Sequence, residues 1–364
     1  MVQLAPLKIK GHTIKFPVIQ GGMGIGVSLG PLVGAVGKEG GLGVISTAAI
    51  DRIISKRLGK KMTTYEAVFY EVTFAKAAGG RVAVNIMEAL YKDRDEAVRG
   101  ALDAKVDVII AGAGLHLNLP SVAPVGDTAL VPIVSSARAL ELICKYWQRQ
   151  KYRPDAVILE GPLAGGHLGF KIEDVNKEEN RLERLFPQVK EIADKYGKFP
   201  VIVAGGIYTR QDITTFLAKG ADGVQMGTRF LATEESSATQ AYKEAVVSAT
   251  QEDIMVANIP GSPCGFPFRV INKSPMFLAT LNGQRASICD KGYVLQKDKG
   301  GNYTICPAKT DSDHYFCICN GLLSSAGYNP NKEDALYTVG TNAWRVDKIL
   351  TVHQLMNELK GITD

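Results

Sequence analysis

Two turns and one histidine hold the residue types from which chemistry could be built. Ala204-Gly205-Gly206-Ile207 and Gln225-Met226-Gly227-Thr228 each end a short apolar run. Bare glycine backbone lets N–H groups close on a phosphate, a threonine hydroxyl adds a donor, and the N-terminus of a following helix favours negative charge. Either turn alone reads equally well as a tight strand-to-helix connection; together, at the ends of successive runs, they point to phosphate. His167 lies in Glu160-Gly161-Pro162-Leu163-Ala164-Gly165-Gly166-His167-Leu168-Gly169. Its glycine neighbours supply no side chains to bury it, so the imidazole is expected to be free to meet a ligand. Imidazole titrates near neutral pH and can act as a general base or as a donor to a reacting group. The opposing reading is a surface-loop histidine without a role. His116, after Ala111-Gly112-Ala113-Gly114, ranks below His167, and His12, His314 and His353 have no comparable setting.

Asn85 and Ser135 also end apolar runs. An amide offers both donor and acceptor to the polar edge of a ring, against the alternative of a turn residue capping the next helix. Gly21-Gly22-Met23-Gly24 would bring bare backbone near the same ligand. Glycines at 22, 24 and 26 do not give the G-x-G-x-x-G spacing, and no acidic residue clearly ends the second run, which disfavours a dinucleotide-binding Rossmann domain.

These residues need a frame that presents strand ends together. Eight apolar runs recur: 16–20, 43–46, 81–85, 106–111, 130–134, 156–160, 200–204 and 223–226. Segments of helical periodicity lie between them at 31–38, 63–78, 93–104, 137–150, 178–196 and 209–219, the second opening on Thr63 with Glu66 three residues on. Strands alternating with helices imply parallel pairing through right-handed crossovers. Eight units in this length match a closed (β/α)₈ TIM barrel, although an open doubly wound sheet could use the same alternation. A barrel puts its site at the C-terminal ends of its strands, with phosphate after the seventh and eighth. After Phe230 the alternation stops. We expect a cofactor-binding barrel domain at 1–230, a small lid or substrate domain at 231–337, and a C-terminal helix within 338–364 packing back on the barrel. Phe266 and Phe268 are the lid residues expected to influence substrate choice.

Of 364 residues, 46% are hydrophobic and 22% charged, a composition of ordinary globular proteins. The formal charge of +5 comes without a basic run interleaved with aromatics, so nucleic acid is not an expected partner. No signal-peptide pattern opens the chain and no apolar run reaches membrane-spanning length; a cytoplasmic protein with no membrane partner is expected. Cys144 reads as core. Cys289, Cys306, Cys317 and Cys319 could in principle hold a metal or cluster, but Cys317-Ile318-Cys319 is not a C-x-x-C hairpin and the other gaps are long. They are read as free thiols, and no metal site is assigned.

The Gly-Gly-His-x-Gly and Gln-x-Gly-Thr segments, in this order, resemble the nitronate monooxygenase group (formerly 2-nitropropane dioxygenase), which also contains the flavin-dependent enoyl-acyl-carrier-protein reductases. The similarity extends from Pro17-Val18-Ile19-Gln20-Gly21-Gly22-Met23 and Val84-Asn85-Ile86 to Gly340-Thr341-Asn342-Ala343-Trp344-Arg345. The resemblance implies FMN as cofactor, bound by Asn85, Gly165, Gly206 and Gln225 to Thr228, with Met23 near the ring system. Gly22, Ser135, Glu160 and Gly205 complete the set of expected cofactor contacts. It also implies His167 as the catalytic residue. Glu160 stands where many members have glutamine, and Leu163 where many have glutamate; Glu160 would put negative charge near the flavin unless protonated or paired. The implied chemistry is oxidation of an alkyl nitronate, with O₂ giving a carbonyl compound and nitrite. The alternative is reduction of an enoyl thioester or a quinone with NAD(P)H, and a non-catalytic flavin-binding protein ranks below both. A homodimer is compatible with this reading.

Overall fold

The computed structural model describes residues 4–90, 93–285, 305–329 and 331–362. A short antiparallel hairpin, β1 (Leu7–Ile9) and β2 (His12–Ile14), comes first. It is followed by β3 (Val18–Gln20), α1 (Gly30–Lys38), β4 (Leu42–Ser46), α2 (Ile50–Leu58), α3 (Thr64–Ala77) and β5 (Arg81–Met87). Then come α4 (Arg94–Asp103), β6 (Val108–Gly112), β7 (Ala129–Val134), α5 (Ala137–Arg149), β8 (Val157–Glu160) and the two-residue β9 (Gly166–His167). Next are α6 (Leu182–Lys195), β10 (Val201–Ala204), α7 (Arg210–Ala218), β11 (Gly223–Met226) and the single turn α8 (Thr228–Leu231). Strands β3, β4, β5, β6, β7, β8, β10 and β11 pair in parallel around a closed ring, with β11 returning to β3. This is a (β/α)₈ barrel, and every one of its strands falls on an apolar run that the sequence marks.

Alternation along the strands sorts the core into two shells. Ile19, Val44, Ala83, Ile110, Val131, Ile158, Ile202 and Ala204 fill the barrel interior. Their neighbours Val18, Ile45, Val84, Ile109, Leu159 and Val203 face outward onto the helices. Leu7, Ile9 and Ile14 of the hairpin belong to the inner cluster, and a Cβ on Gly223 at the start of β11 would meet Leu7 at 3.0 Å. The hairpin therefore plugs the N-terminal end of the barrel and leaves the opposite end open. The same period of two carries the next inward positions, Asn85, Glu160 and Gln225, to the top layer.

Local signals account for most helix boundaries. Thr63 and Glu66 form the expected capping box of α3, and Thr209 with Asp212 forms another on α7. The helix expected over 178–196 is shorter, because Glu178–Asn180 is a separate 3-10 turn and α6 begins only at Leu182. Helix α2 is absent from the sequence-based expectation; only Ile50, Ile53 and Ile54 of its nine residues are buried, too few to give a clear period.

Beyond the barrel lie α9 (Gln240–Val247), β12 (Ile254–Ala257), β13 (Phe268–Ile271), α10 (Pro275–Leu281), α11 (Ile318–Ser325) and α12 (Val352–Lys360). Strand β13 pairs on one side with β12 and on the other with β9, which belongs to the loop after β8. The C-terminal helix expected within 338–364 is α12, opened by the Thr351–Gln354 capping box and preceded by a 3-10 turn at Thr341–Arg345.

Buried Glu71 on α3 fixes the end of the glycine-rich loop. Its carboxylate accepts the Gly30 N–H at 2.7 Å, opening α1, and pairs with Arg57. Glu71→Ala would leave the Gly30 N–H without its acceptor, at a cost of about 1–3 kcal/mol, while half-exposed Arg57 can turn to water. A denaturant-unfolding midpoint within error of wild type would show that the pair does not hold this corner.

Candidate active site

A cavity of about 480 Å³ opens at the C-terminal end of the barrel. Its wall includes Gly22, Met23, Asn85, Ser135, Glu160, Gly165, His167, Gly205, Gly206 and the whole turn from Gln225 to Thr228. The sequence-selected residues, from distant parts of the chain, thus meet at one place, because parallel strands end on one rim.

The floor is polar. Asn85, Glu160 and Gln225 project from the top layer of the barrel, and among the described residues their side chains make no hydrogen bond. Gly22 permits this layer to form: a Cβ there would lie 2.4 Å from the Cβ of Asn85. Ser135 differs from expectation. Its hydroxyl donates to Gly169 O at 2.8 Å, so it ties down the loop after β8 and keeps only acceptor capacity for a ligand.

One corner has the character of an anion cradle. Gly205 and Gly206 adopt left-handed φ values of 96° and 82°. Thr228 Oγ1 accepts the Gly340 N–H at 2.9 Å, which leaves the hydroxyl proton available to donate outward. Asn342 Nδ2 donates to Gly206 O at 2.7 Å. The segment around Gly340 and Asn342 therefore completes the corner, although only family similarity marked it in the sequence. The helix-terminus contribution expected after the two turns is small: α8 is a single turn, and α7 starts at Arg210, beyond Gly206. Arg229 does not supply the charge, since it makes a two-pronged pair with Glu358 at 3.1 and 2.7 Å.

His167 lines the cavity, half-buried, and is held there by neighbours that its flanking glycines do not reveal. Its strand β9 pairs with β13, opposite Phe268, and the two rings meet edge-on with centroids 4.6 Å apart. Nε2 lies 2.7 Å from Ser262 Oγ, which also accepts the Cys264 N–H at 3.1 Å. Flanking glycines report on local neighbours only; the walls come from residues about a hundred positions away. Burial pushes the imidazole down to about 4, so it is neutral at physiological pH. Ser262 carries no sequence signal and was missed. Phe268 is buried and supports His167, whereas Phe266 is 40% exposed and lines the cavity mouth. His116 is a structural residue, buried, with Nε2 2.8 Å from Gly112 O and Nδ1 3.0 Å from Glu88.

Burial raises the Glu160 carboxyl from the usual 4.5 to about 7. With no cation or donor against it among the described residues, desolvation alone sets this value. Cys289 lies outside the described residues; Cys306, Cys317 and Cys319 are buried. Among the described residues no group of three or more His, Cys, Asp or Glu is placed to hold a metal ion, and no helix is long and apolar enough to cross a membrane.

A parallel barrel with a polar floor, a neutral histidine at its rim and an anion-cradle-like corner after the seventh and eighth strands is an architecture suited to a phosphate-bearing ligand. The chain belongs to the nitronate monooxygenase family, whose profile it matches over residues 5–361. It is 27% identical over 270 residues to a probable nitronate monooxygenase of Staphylococcus haemolyticus (strain JCSC1435), covering 68% of this chain and 73% of that one. A probable nitronate monooxygenase of Staphylococcus saprophyticus is 27% identical over 274 residues, 69% and 75% of the two chains. Among solved structures, FabK from Thermotoga maritima superposes with a TM-score of 0.69 at 25% identity, covering 96% of this chain and 93% of that one. The nitroalkane oxidase from Streptomyces ansochromogenes shares the fold, with a TM-score of 0.67 at 22% identity over 96% and 95% of the chains. The protein is accordingly an oxidoreductase of this family.

The Glu160 shift has a measurable consequence. A carboxyl whose folded value is raised stabilises the fold least when ionised, so stability is lost as pH rises from about 4.5 through about 7. Glu160→Gln should match wild type in Tm at pH 4.5 and exceed it by a few degrees at pH 8. Parallel Tm–pH curves would mean that Glu160 is solvated or paired.

Proposed function

We propose that the protein is an FMN-dependent oxidoreductase that oxidises nitroalkanes or their nitronates with O₂, giving a carbonyl compound and nitrite. The observation that carries the reading is a neutral, half-buried imidazole facing a cavity whose polar floor and anion cradle suit a ring and a phosphate. Asn85, Gln225 and Glu160 offer unengaged amide and carboxyl groups to the ring's polar edge. The N–H groups of the Gly205–Gly206 and Gly227–Thr228 turns, with the Thr228 hydroxyl, suit the phosphate. FMN, when bound, supplies the electron-accepting ring and the route to O₂.

His167 holds the proton chemistry. In the tautomer whose Nε2–H donates to Ser262 Oγ, Nδ1 carries the lone pair that takes the α-proton of a neutral nitroalkane. Ser262 then continues to accept from the imidazolium, and Phe268 keeps the ring in place. A substrate already present as nitronate needs only to be oriented. The similarity to FabK supports a second reading, in which NAD(P)H is the reductant and an enoyl thioester the substrate.

Purified protein should be yellow and release FMN on denaturation; FAD, or no flavin after reconstitution, would defeat the assignment. Gly227→Leu should fold and lose the flavin, because a Cβ at 227 would meet only Met23, no closer than 3.7 Å, and the rest of the side chain would enter the cavity.

For His167→Asn, kcat/KM toward a neutral nitroalkane should fall by roughly 10²–10⁴-fold, the span of general-base catalysis. The nitronate should be affected far less, and flavin content should stay near wild type. Equal, small changes for both substrates would remove His167 from the chemistry. A loss confined to NAD(P)H-driven enoyl reduction would select the second reading.

A further inference from the structure

Arg269 is a buried cation to which the proposed reaction gives no role. It sits on β13, 5% exposed, opposite Gly166 in the ladder that holds His167. Among the described residues no carboxylate pairs with it. Burial lowers the guanidinium only to about 10, so it stays charged at neutral pH. A desolvated, uncompensated charge is costly, and proteins keep one where an anion or an ordered set of dipoles answers it.

The dipoles are those of the loop after β8. Arg269 Nη1 donates to Pro162 O at 2.8 Å and also to Ala164 O. The intervening peptide is satisfied within the fold: Leu163 O accepts from Thr341 N at 3.1 Å, and Ala164 N donates to Gly161 O at 3.2 Å. Cis peptides among the described residues occur only at Gly24–Ile25 and Ile259–Pro260, so the peptides after Pro162 and Ala164 are trans. In a trans peptide the N–H points opposite to the C=O. The N–H groups of Leu163 and Gly165 must therefore point away from the guanidinium, and neither finds an acceptor among the described residues. Both residues line the cavity. Their position is the anion cradle itself: a Cβ on Gly340 would lie 3.2 Å from Thr228 Oγ1 and 3.8 Å from Gly165 N, and a Cβ on Gly206 would lie 2.9 Å from the Leu163 side chain.

We infer that Arg269 is the buried counter-charge of the cofactor-phosphate site, acting through the Pro162–Leu163 and Ala164–Gly165 peptides to aim two polarised N–H groups at the phosphate. It is a positioning residue, because its guanidinium meets carbonyls on the far side of the loop and not the ligand. The arrangement supplies what the one-turn α8 and the Glu358-bound Arg229 do not: positive potential in a corner that must accept a phosphate dianion.

The inference rests on the FMN reading, and comparing FMN with riboflavin separates the two. Both ligands present the same ring and differ in the phosphate. Affinities for the apoprotein, measured by flavin fluorescence quenching, should show wild type preferring FMN. Arg269→Gln should weaken FMN by about tenfold to a hundredfold, the range for a lost charge-assisted contact, and leave riboflavin nearly unchanged. Arg269→Lys, which keeps the charge, should recover part of the preference. Equal losses for both ligands would reduce Arg269 to a clamp on the loop and overturn the inference, as would an unchanged FMN preference in Arg269→Gln. A wild type that binds neither ligand, or both alike, would overturn the FMN reading and this inference with it. If Arg269→Gln does not fold, a crystal structure of the FMN-bound wild type decides. Phosphate oxygens within about 3.2 Å of Leu163 N and Gly165 N support the inference, and a phosphate held elsewhere overturns it.

Discussion

The pairing of β9 with β13 is the contact on which the site depends. Two residues of the loop after β8 join a strand about a hundred positions later, with Phe268 opposite His167 and Arg269 opposite Gly166. A loop with glycines at 161, 165, 166 and 169 has large conformational entropy and no intrinsic shape. The ladder removes that freedom at a single place and converts a permissive segment into a wall. From the same strand, Phe268 supports the imidazole and Arg269 grips the carbonyls before it, so the histidine and the peptides beside the cradle are fixed by one register. A one-residue slip would turn both side chains to the wrong faces.

The barrel supplies the complementary constraint. Its strands are hydrogen-bonded on both sides and its interior is filled by branched apolar side chains, with the N-terminal end closed by the β1–β2 hairpin. The upper rim is the one place where inward positions can be polar without being sealed into the core. Asn85, Glu160 and Gln225 occupy it because each lies two positions beyond an inward-facing residue of its strand, Ala83, Ile158 and Gly223.

That parity explains what sequence alone made legible. Strand identity, barrel closure and the inward rim residues depend on local patterns, an apolar run with small or polar residues at its end, and these are visible in one dimension. The capping box at Thr63 and Glu66 is legible for the same reason. Ser262, Arg269, Gly340 and Asn342 were not assigned site roles, because their parts depend on chain segments brought together by the tertiary fold. Ser262 sits in an irregular Gly-Ser-Pro stretch, and Arg269 reads as an ordinary charge on a short strand. His167 lines the cavity, as its glycine neighbours suggest, but the residues that hold its ring, Ser262 and Phe268, are not its neighbours in sequence. Helix α2 was missed for a different reason, since three isoleucines in a charged segment give too narrow an apolar face to register as a period.

Electrostatically the cavity is divided. Around His167 and Glu160 burial acts on both groups in the direction of neutrality, pushing the imidazole down to about 4 and the carboxyl up to about 7. Desolvation penalises the charged form whatever its sign, so opposite shifts share one cause. At the cradle burial acts in the same direction but does not go far enough to neutralise the group. Arg269 remains cationic despite its burial, and the peptides it holds turn their N–H groups the other way. A ligand with an anionic end and a neutral, polar ring matches this gradient in one orientation and opposes it in the other. Orientation is therefore selected before any specific contact to the ring is counted. On the FMN reading the neutral histidine is left near the ring, where a base must be uncharged before it can take a proton.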